Sequence, residues 1–516
     1  MTKTNESEIL KLINDLNNEK SAGHDEFSAK FLKLCAPYIS VPLVTIFNRA
    51  ISCGIYPDLL KIARVTPIHK KGNRHDPNNY RPISVLSMIN KAFEKILHTR
   101  LYSYLTKFNI IYEYQFGFRE GHSTTQALIE INDKIKSSID NKLLTSGIFI
   151  DLTKAFDTVN HDILLDKMEM YGIRGNTHSL FKNYLTNRKQ YVRVNNINSD
   201  MREITCGVPQ GSVLGPLLFI LYINDIANCC NEGYFRIFAD DTGIFCHSND
   251  ITSLIQKSEI ILKNVYEWFI HNKLTLNVSK TAFIIFRSKR YPESNLPDSI
   301  TYNDIKINRV SQIKYLGLIF DEYMSWNAHV ADLCNKLKCF FSIFYNIRNY
   351  VNKDHIRVIY YTMIYSRIKY GCIVYGLTSV DNLEKIQVMQ NKLLKVISHK
   401  PYRFSTNKLH NELFLLKFED IVKQEILSFV HDYVHSKLPS VFANYFQHRH
   451  SLADILSGLK PLRLIIPIHK TNIGANTVKV KGSKFFNDEA SNISLNYSLK
   501  TFRYKIKKKI LYYPEN

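Results

Sequence analysis

The sequence predicts an α+β fold in which helices at both ends of the chain flank a small sheet. Near the N-terminus, Ile9, Ile13 and Leu16 recur at the spacing of one helix face. From about residue 325 onward, apolar stripes at the same spacing predict further long helices. Between residues 145 and 290 the pattern changes to short β-rich runs that alternate with helical segments, which predicts a sheet in the middle of the chain.

Each element is predicted from apolar spacing, β-rich composition or a boundary residue. Residues 1–60 are predicted to be helical, and residues 61–85, which combine several Lys and Arg with Gly72, Pro77 and Pro82, to form a basic loop. Further helices are predicted from Met88 to about Thr106, from Thr124 to Ile139, near 162–171, near 214–226, from Ile251 to about Asn272 with Asp250 as its N-cap, and at 326–350, 354–370 and 381–398. Strands are predicted up to Asp151, at 190–194 and at 282–287, with a hairpin around Asp240-Asp241.

The chain is strongly basic. It has 68 Lys and Arg against 46 Asp and Glu in 516 residues, a formal net charge of +22. Such an excess indicates a polyanionic partner, most commonly nucleic acid, although a basic protein without such a partner can have the same composition. A basic cluster near the C-terminus is typical of a solvated tail, with added affinity for nucleic acid as the alternative. The cluster consists of Lys505, Lys507, Lys508 and Lys509.

We expect neither a membrane partner nor secretion. The longest apolar run, Val213–Ile223, is interrupted by Gly215 and Pro216 and is far shorter than the ~20 residues that span a bilayer. Residues 1–20 are polar and lack the apolar segment of a signal peptide. The nine cysteines are scattered without a C-x-x-C pair, which favours reduced, mostly buried thiols in an intracellular protein of the nucleus or the cytoplasm.

Two adjacent carboxylates give the clearest local signal of chemistry. Asp240 and Asp241 lie where two short β-rich runs meet at a turn, and Asp151 ends another β-rich run. Neighbouring acids repel each other unless a cation neutralises them. Three carboxylates at strand ends can hold two Mg²⁺ ions about 3.5–4 Å apart, the arrangement used for in-line phosphoryl transfer. An isolated Asp-Asp pair is more often an ordinary acidic turn, so the interpretation depends on the surrounding motifs.

Five motifs occur in order around these carboxylates. They are FIDLTKAFD at 149–157, GVPQGSVLGP at 207–216, FADD at 238–241, LNVSKT at 276–281 and YLG at 315–317. Their order and content resemble the successive palm motifs of reverse transcriptases. Two flanking segments, NYRPIS and QFGFR, resemble the non-LTR (LINE-type) retrotransposon group, and jockey-like elements in particular. The resemblance covers roughly residues 20–450.

The resemblance implies an α+β right-hand polymerase with fingers, a palm that contains a small antiparallel sheet, and a helical thumb. The implied activity is that of an RNA-directed DNA polymerase, which copies retrotransposon RNA into DNA by two-metal nucleotidyl transfer. The implied domains are an N-terminal helical extension at 1–60, fingers and palm at 61–290, a primer-grip hairpin with the helical thumb at 291–400, and a C-terminal basic helical region at 401–516.

The resemblance also implies roles for individual residues. Asp151, Asp240 and Asp241 are the implied catalytic residues and the ligands of two Mg²⁺ ions, with Mn²⁺ as a substitute ion. Phe156 has the position of a steric gate, where a bulky ring excludes the 2′-hydroxyl of a ribonucleotide; the alternative is a core aromatic residue. Asp157 is interpreted as a structural acid that caps or pairs, rather than as a fourth catalytic carboxylate.

Five further residues are implied to bind the nucleotide. Lys70 and Arg81 lie in the segment that resembles the fingers loop around the triphosphate, and the guanidinium of Arg81 suits bidentate phosphate contact. Gln210 and Gly211 are expected beside the template and the nucleotide, where glycine permits close approach. Lys280 resembles a residue that protonates the leaving pyrophosphate, and a surface lysine is the alternative.

The implied partners are an RNA template, a DNA primer or target DNA, and dNTPs. Residues 1–60 precede the fingers segment, fewer than an endonuclease domain needs, so we expect endonuclease activity to lie outside this chain. Two alternatives stand beside the polymerase. One is a decayed or domesticated element protein that binds RNA without polymerising. The other is a maturase-like splicing cofactor, for which the sequence shows no maturase domain.

Overall fold

The computed structural model describes residues 1–449, 463–489 and 497–512. The chain divides into two compact units that interleave along the sequence. The first unit comprises Met1–Phe118, Asp151–Asn231 and Lys263–Asn277, and the second comprises Arg119–Ile150, Glu232–Leu262 and Val278–Asn516. The expected division into four consecutive regions stays a prediction.

α-Helices account for slightly less than half of the described residues. They are α1 (Glu6–Asn14), α2 (Ala29–Cys53), α3 (Met88–Lys107), α4 (Thr124–Asp140), α5 (His161–Met170), α6 (Gly175–Leu185), α7 (Gly215–Tyr222), α8 (Ile251–His271), α9 (Asn327–Lys338), α10 (Phe340–Ile347), α11 (Lys353–Ile359), α12 (Ser366–Lys369), α13 (Cys372–Tyr375), α14 (Val380–Ile397), α15 (Thr406–Glu412), α16 (Phe418–Val434), α17 (Asn472–Ala475), α18 (Val478–Glu489) and α19 (Leu499–Tyr512).

The strands are short and most lie before residue 290. They are β1 (Ile62–His69), β2 (Tyr80–Val85), β3 (Leu144–Ile150), β4 (Arg188–Val194), β5 (Ile197–Asn198), β6 (Arg202–Ile204), β7 (Tyr234–Phe238), β8 (Asp241–Ser248), β9 (Ala282–Phe286), β10 (Ser299–Tyr302), β11 (Ile305–Asn308), β12 (Gln312–Tyr315) and β13 (Leu318–Asp321).

A mixed sheet lies in the first unit, with the strand order β2-β1-β4 and with β5 and β6 both paired to β4. Residues 61–85 contribute β1 and β2 to it, so the prediction of a loop in this segment is wrong. The prolines are tolerated because of where they lie. Pro77 begins a short 3₁₀ turn between the two strands. Pro82 is on the edge strand β2, opposite Pro67, which lies beyond Val65, the last β1 residue that pairs with β4.

Helix α2 of the first unit packs against α1 and α6. Its buried residues, among them Leu32, Leu43 and Phe47, recur at helical spacing, and the Phe47 ring stacks on Phe93 of α3 with 4.4 Å between the ring centroids. Of the helices in the described ranges, α2 is the one long and apolar enough to cross a membrane by length and composition. One face of α2 belongs to the core of the unit, as in an amphipathic helix of a compact protein.

A four-stranded antiparallel sheet with the order β7-β8-β3-β9 forms part of the second unit. Every residue of β3 is buried, because this central strand pairs with β8 on one side and β9 on the other. The predicted hairpin around Asp240-Asp241 is confirmed, and so are the strands predicted up to Asp151 and at 282–287. The predicted N-cap of α8 is also confirmed, since Ser253 N–H donates to the Asp250 carboxylate at 3.0 Å.

Two hairpins and a series of helices complete the second unit. β10 pairs with β11, and β12 pairs with β13. The segment predicted as one helix at 326–350 is divided at Cys339 into α9 and α10, and the segment at 354–370 contains a π-helical turn at Tyr360–Tyr365. All nine cysteines are free thiols, but only three of them, Cys230, Cys246 and Cys372, are buried, so the prediction that most are buried is wrong.

The basic cluster near the C-terminus lies on α19. Phe502 and Ile506 of this helix are buried, and Arg503 forms an ion pair with Glu425 of α16. The prediction of a solvated tail is therefore wrong for α19, because the apolar face of the helix is packed. Other parts of this predicted region, at 450–462, 490–496 and 513–516, lie outside the described residues.

Candidate active site

The two adjacent carboxylates lie on a tight hairpin. β7 and β8 pair as far as Phe238 and Asp241, which leaves Ala239 and Asp240 as a two-residue turn. Ala239 has a φ of 55°, in the left-handed region, which costs a residue with a side chain roughly 1–2 kcal/mol. Asp240 and Asp241 are both exposed. The turn is therefore strained and carries two exposed carboxylates, and strain of this kind is concentrated at functional sites.

Tyr315 contacts the backbone of this hairpin. Its hydroxyl oxygen lies 3.3 Å from the carbonyl oxygen of Arg236 and 3.4 Å from that of Asp241. Its ring packs against Phe149 of β3, with 4.9 Å between the ring centroids. Burial raises the pKa of the Tyr315 hydroxyl, which therefore keeps its proton as a hydrogen-bond donor. Tyr315 thus links the predicted YLG motif to the strand that begins at Asp241.

Asp151 directly follows β3 in the chain. Within the sheet, Ile150 pairs with Thr242, the residue after Asp241, so β3 ends beside the start of β8. The carboxylate of Asp151 accepts a hydrogen bond from the side-chain amide of Asn277 at 3.0 Å. The N–H of Asn277 also donates to the carbonyl of Asp151 at 2.9 Å. Asn277 therefore restricts the orientation of this carboxylate.

The three aspartates that we predicted to bind metal all offer carboxylate oxygens. Carboxylate oxygens are ligands that suit Mg²⁺ and Mn²⁺. In the described ranges, no group of three or more His, Cys, Asp or Glu side chains is arranged to enclose a metal ion. Mg²⁺ usually keeps several waters and is bound by one or two carboxylates together with substrate phosphates, rather than in an all-protein cage. Exposed carboxylates such as those of Asp240 and Asp241 fit an ion bound in this way.

Several predicted nucleotide-binding residues meet within the first unit. Ser84 N–H on β2 donates to the carbonyl of Gln210 at 2.7 Å. Gly211 has a φ of 119°, and a Cβ there would lie 2.6 Å from the carbonyl oxygen of Ser84, so glycine is needed for this close approach. Arg81 is exposed on the same strand, three residues before Ser84. The loop with Gln210 and Gly211 is thereby attached to the strand that carries Arg81.

Phe156 and Asp157 contact the same loop. The half-buried ring of Phe156 stacks on Phe219 with 4.3 Å between the ring centroids, and part of the Phe156 side chain stays accessible. The carbonyl of Phe156 accepts a hydrogen bond from Val208 N–H at 2.8 Å. The carboxylate of Asp157 accepts one from Gln210 Nε2, also at 2.8 Å. The prediction that Asp157 pairs structurally is confirmed, and its partner is a predicted nucleotide-binding side chain.

Both predicted lysines are exposed. Lys70 directly follows β1, and its N–H donates to the carbonyl of Asn79 at 2.8 Å, which closes the connection between β1 and β2. Lys280 lies in the second unit, two residues before β9. The roles of Lys70 in triphosphate binding and of Lys280 in proton transfer stay predictions.

Comparison with known proteins identifies the family. Residues 68–320 match the family model described as reverse transcriptase (RNA-dependent DNA polymerase). Residues 68–320 of this chain therefore form a domain of the reverse transcriptase family. The matched range includes every residue that we predicted to be catalytic or to bind the nucleotide. The predicted fold class, an α+β right-hand polymerase fold, is confirmed by this match.

Curated proteins similar to this chain come from non-LTR retrotransposons. The "Probable RNA-directed DNA polymerase from transposon X-element" of Drosophila melanogaster is 28% identical over 88% of this chain and 49% of its own length. The protein of the same description from transposon BS, of the same species, is 29% identical over 88% of this chain and 50% of its own. The "RNA-directed DNA polymerase from mobile element jockey" of Drosophila funebris is 27% identical over 81% and 46%. The chain therefore spans about half the length of these relatives, and the predicted jockey-like resemblance is confirmed.

Two residues that orient side chains of the candidate site were not predicted as site residues. Asn277 orients Asp151, and Tyr315 contacts the strand that begins at Asp241. Both lie in motifs that are visible in the sequence, LNVSKT and YLG, so their place in these motifs is the signal that could have identified them as site residues. Their contacts could not be predicted, because each joins segments far apart in the chain. Asn277 and Asp151, for example, are separated by 126 residues.

Asp157 gives a pH-dependent prediction. Burial raises the pKa of its carboxyl above the usual range, although the hydrogen bond from Gln210 opposes this. The ionised form is therefore less favourable in the folded protein than in the unfolded chain. At pH values above its folded pKa, the half-buried Asp157 carboxylate lowers the free energy of unfolding by its full amount. This loss disappears as the pH falls below the pKa that the same carboxyl has in the unfolded chain. Asp157→Asn keeps an acceptor oxygen for Gln210 and removes the charge, so its free energy of unfolding at pH 7 is expected to exceed that of the parent.

Urea unfolding at several pH values measures this difference. The gain from Asp157→Asn is expected to shrink as the pH is lowered toward about 4, near the usual Asp pKa. Asp166→Asn is the control, because Asp166 is an exposed acid of the same unit. A gain that does not change with pH would contradict the prediction, as would a loss of stability at pH 7.

Proposed function

We propose that this chain is an RNA-directed DNA polymerase that copies retrotransposon RNA into DNA. The observation that carries the proposal is the strained hairpin with the exposed Asp240 and Asp241, which starts beside the end of the strand leading to Asp151. This hairpin lies in the range that matches the reverse transcriptase family. The names of the curated relatives support the same activity.

The proposed metal ligands are the carboxylates of Asp151, Asp240 and Asp241, for two Mg²⁺ ions or for Mn²⁺ as a substitute. Bound ions would lower the pKa of the primer 3′-hydroxyl and neutralise charge on the triphosphate and on the leaving pyrophosphate. The protein contributes the orientation of these ligands. Asn277 fixes the Asp151 carboxylate, and the tight turn at Ala239 fixes the direction of the Asp240-Asp241 segment.

The first unit supports the proposed binding of a dNTP. Arg81 offers an exposed guanidinium for bidentate contact with the triphosphate. The Gln210 amide is oriented by Asp157 and is available to contact the sugar or the template base through its remaining donor and acceptor. The accessible part of Phe156 is proposed to press against the sugar 2′ position, with Phe219 preventing its displacement. Lys70 is proposed to contact the triphosphate. Lys280, in the second unit, is proposed to protonate the leaving pyrophosphate.

The proposed partners are an RNA template and a DNA primer or target DNA. A primer-extension assay with an RNA template, Mg²⁺ and dNTPs tests the proposal, with binding of the same RNA measured in parallel. Extension confirms a polymerase. Tight RNA binding without extension would support the alternative, a decayed or domesticated protein that binds RNA only. The absence of both would contradict either function.

Nucleic-acid binding by this chain is expected to depend strongly on salt. A net charge of +22 favours contacts with phosphates, and each contact releases condensed counterions. With about 5–10 phosphate contacts, the slope of log affinity against log salt for single-stranded RNA is expected to be about −3 to −7. Fluorescence anisotropy with two RNAs of unrelated sequence measures it, and both slopes are expected to agree. A flat slope would show that the excess charge does not face the nucleic acid.

A further inference from the structure

A buried carboxylate lies behind the loop that carries Gln210 and Gly211. Glu94 of α3 has 0% of its surface exposed. Its Oε1 accepts hydrogen bonds from Asn90 Nδ2 at 3.0 Å and from the Tyr184 hydroxyl at 2.9 Å. Its Oε2 accepts one from Val213 N–H at 2.6 Å. Burial of a carboxylate is costly unless hydrogen bonds and a counter-charge compensate for lost water, so this arrangement needs an explanation.

The surroundings of Glu94 hold it in one position. Asn90 is also fully buried, and its Oδ1 accepts a hydrogen bond from the Tyr56 hydroxyl at 2.5 Å, so its amide group must point its donors at Glu94. Arg188 is fully buried in the same cluster, with its guanidinium 4.7 Å from the centre of the Tyr184 ring. Neighbours from several segments of the first unit thus fix the carboxylate, and a buried cation lies nearby.

One hydrogen bond of Glu94, from Val213 N–H, goes to the loop of the proposed active site. Val213 follows Gln210 by three residues and immediately precedes the turn into α7. The same loop is held by Ser84 N–H on the Gln210 carbonyl and by Asp157 on the Gln210 side chain. β2 and Asp157 contact this loop at Gln210, whereas Glu94 holds its other end, at Val213. A displacement of Val213 would be transmitted to Gln210 and Gly211 through a short, hydrogen-bonded segment.

We infer that Glu94 is a positioning residue, which sets the position of the Gln210–Gly211 loop against the incoming nucleotide without touching the nucleotide. The inference rests on the proposed polymerase function. It specifies that a carboxylate is required, because all three neighbours of Glu94 donate hydrogen bonds. A glutamine would have to direct its own N–H groups either at Val213 N–H or at the Asn90 amide, so one donor would face another donor.

Two variants test the role of Glu94. Glu94→Gln has the same shape and introduces the donor conflict, whereas Glu94→Asp keeps the charge and is too short by one methylene to reach Val213. For both, the KM for dNTP is expected to rise about tenfold or more, the scale of a lost hydrogen bond to a charged group. The value of kcat is expected to change less than about threefold, and affinity for the primer–template is expected to be unchanged, because the loop contributes to nucleotide binding in the ground state and the transition state alike.

Tyr56→Phe is the matched structural control. It removes the hydroxyl that donates to Asn90 and leaves all three hydrogen bonds of Glu94 in place, so it is expected to lower stability without moving the KM for dNTP. Asn90→Asp combined with Glu94→Gln is the rescue. In this double variant the carboxylate introduced by Asn90→Asp accepts from the glutamine N–H, the glutamine oxygen faces Val213, and the KM is expected to return toward that of the parent.

The outcomes separate this inference from the proposed function. If the parent does not extend a primer, the proposed function fails. If the parent extends and Glu94→Gln has the parental KM, the positioning role is wrong. An equal rise of KM in Tyr56→Phe would also overturn it, because any damage to the cluster would then have the same effect. Failure of both Glu94 variants to fold, seen by circular dichroism and thermal melting, would assign Glu94 to the core alone.

Discussion

Asp240→Asn is expected to abolish primer extension while folding and RNA binding are retained. The substitution removes one proposed metal ligand from a site whose function is to bind ions at the reacting phosphate. It also removes one of two adjacent negative charges, so the free energy of unfolding is expected to be equal to or slightly above that of the parent. Asp151→Asn is expected to have the same effect on activity. Primer extension, RNA binding and urea unfolding measure the three properties.

The chain offers a close control for Asp240. Asp304 is also the exposed second residue of a two-residue turn, between β10 and β11, and it follows Asn303 with a φ of 50°. Asp304→Asn therefore makes the same chemical change in a similar turn outside the proposed site and is expected to leave extension unchanged. Measurable extension by Asp240→Asn or by Asp151→Asn would remove that residue from the catalytic role.

Phe156→Val is expected to reduce discrimination against ribonucleotides by orders of magnitude. In the parent, the ring is proposed to occupy the space that a 2′-hydroxyl would need, and its contact with Phe219 at 4.3 Å prevents the ring from moving away. Such steric exclusion has a far larger effect than the factor of about 10–200 from a missing methylene contact. The smaller side chain also loses packing, so some dNTP efficiency is expected to be lost. Phe156→Ala is expected to reduce discrimination against ribonucleotides further and to lose more dNTP efficiency.

Single-nucleotide incorporation of dNTP and of rNTP by each variant measures this selectivity. Phe108→Val is the control, because Phe108 is 58% exposed at the end of α3 and lies outside the proposed site. An unchanged ratio of dNTP to rNTP efficiency in Phe156→Val would assign Phe156 to the core, which is the alternative that the sequence left open.

Much of the fold could be predicted because local patterns determined it. The strand before Asp151 and the turn at Ala239 and Asp240 follow from β-rich runs that end at polar residues. The start of α8 follows from Asp250, whose side chain caps it. Prediction failed at 61–85, where proline and lysine suggested a loop. β1 is a strand in part because it pairs with β4, which lies more than 100 residues later in the chain. A local sequence pattern cannot indicate so distant a partner.

The candidate site could be predicted in its motifs but not in its supporting contacts. Asp157 and Asn277 lie in or beside motifs that the sequence displayed, yet their partners could be known only from the fold. Glu94 carried no signal at all. It lies on a helix whose pattern predicted only a packed face, and it reaches Val213 across a separation of 119 residues. Hydrogen bonds between distant segments leave no periodicity in the sequence.

The central claim, templated DNA synthesis that depends on metal ions held by carboxylates, is tested most directly by a metal titration. Single-turnover incorporation of one dNTP is measured on an RNA template with a DNA primer, with dNTP saturating and Mg²⁺ varied. The account predicts no product in excess EDTA, a rate that rises more steeply than linearly at low Mg²⁺ because two ions are needed, and saturation at high Mg²⁺. Incorporation that persists in EDTA, or RNA binding without incorporation at any concentration of Mg²⁺ or Mn²⁺, would contradict it.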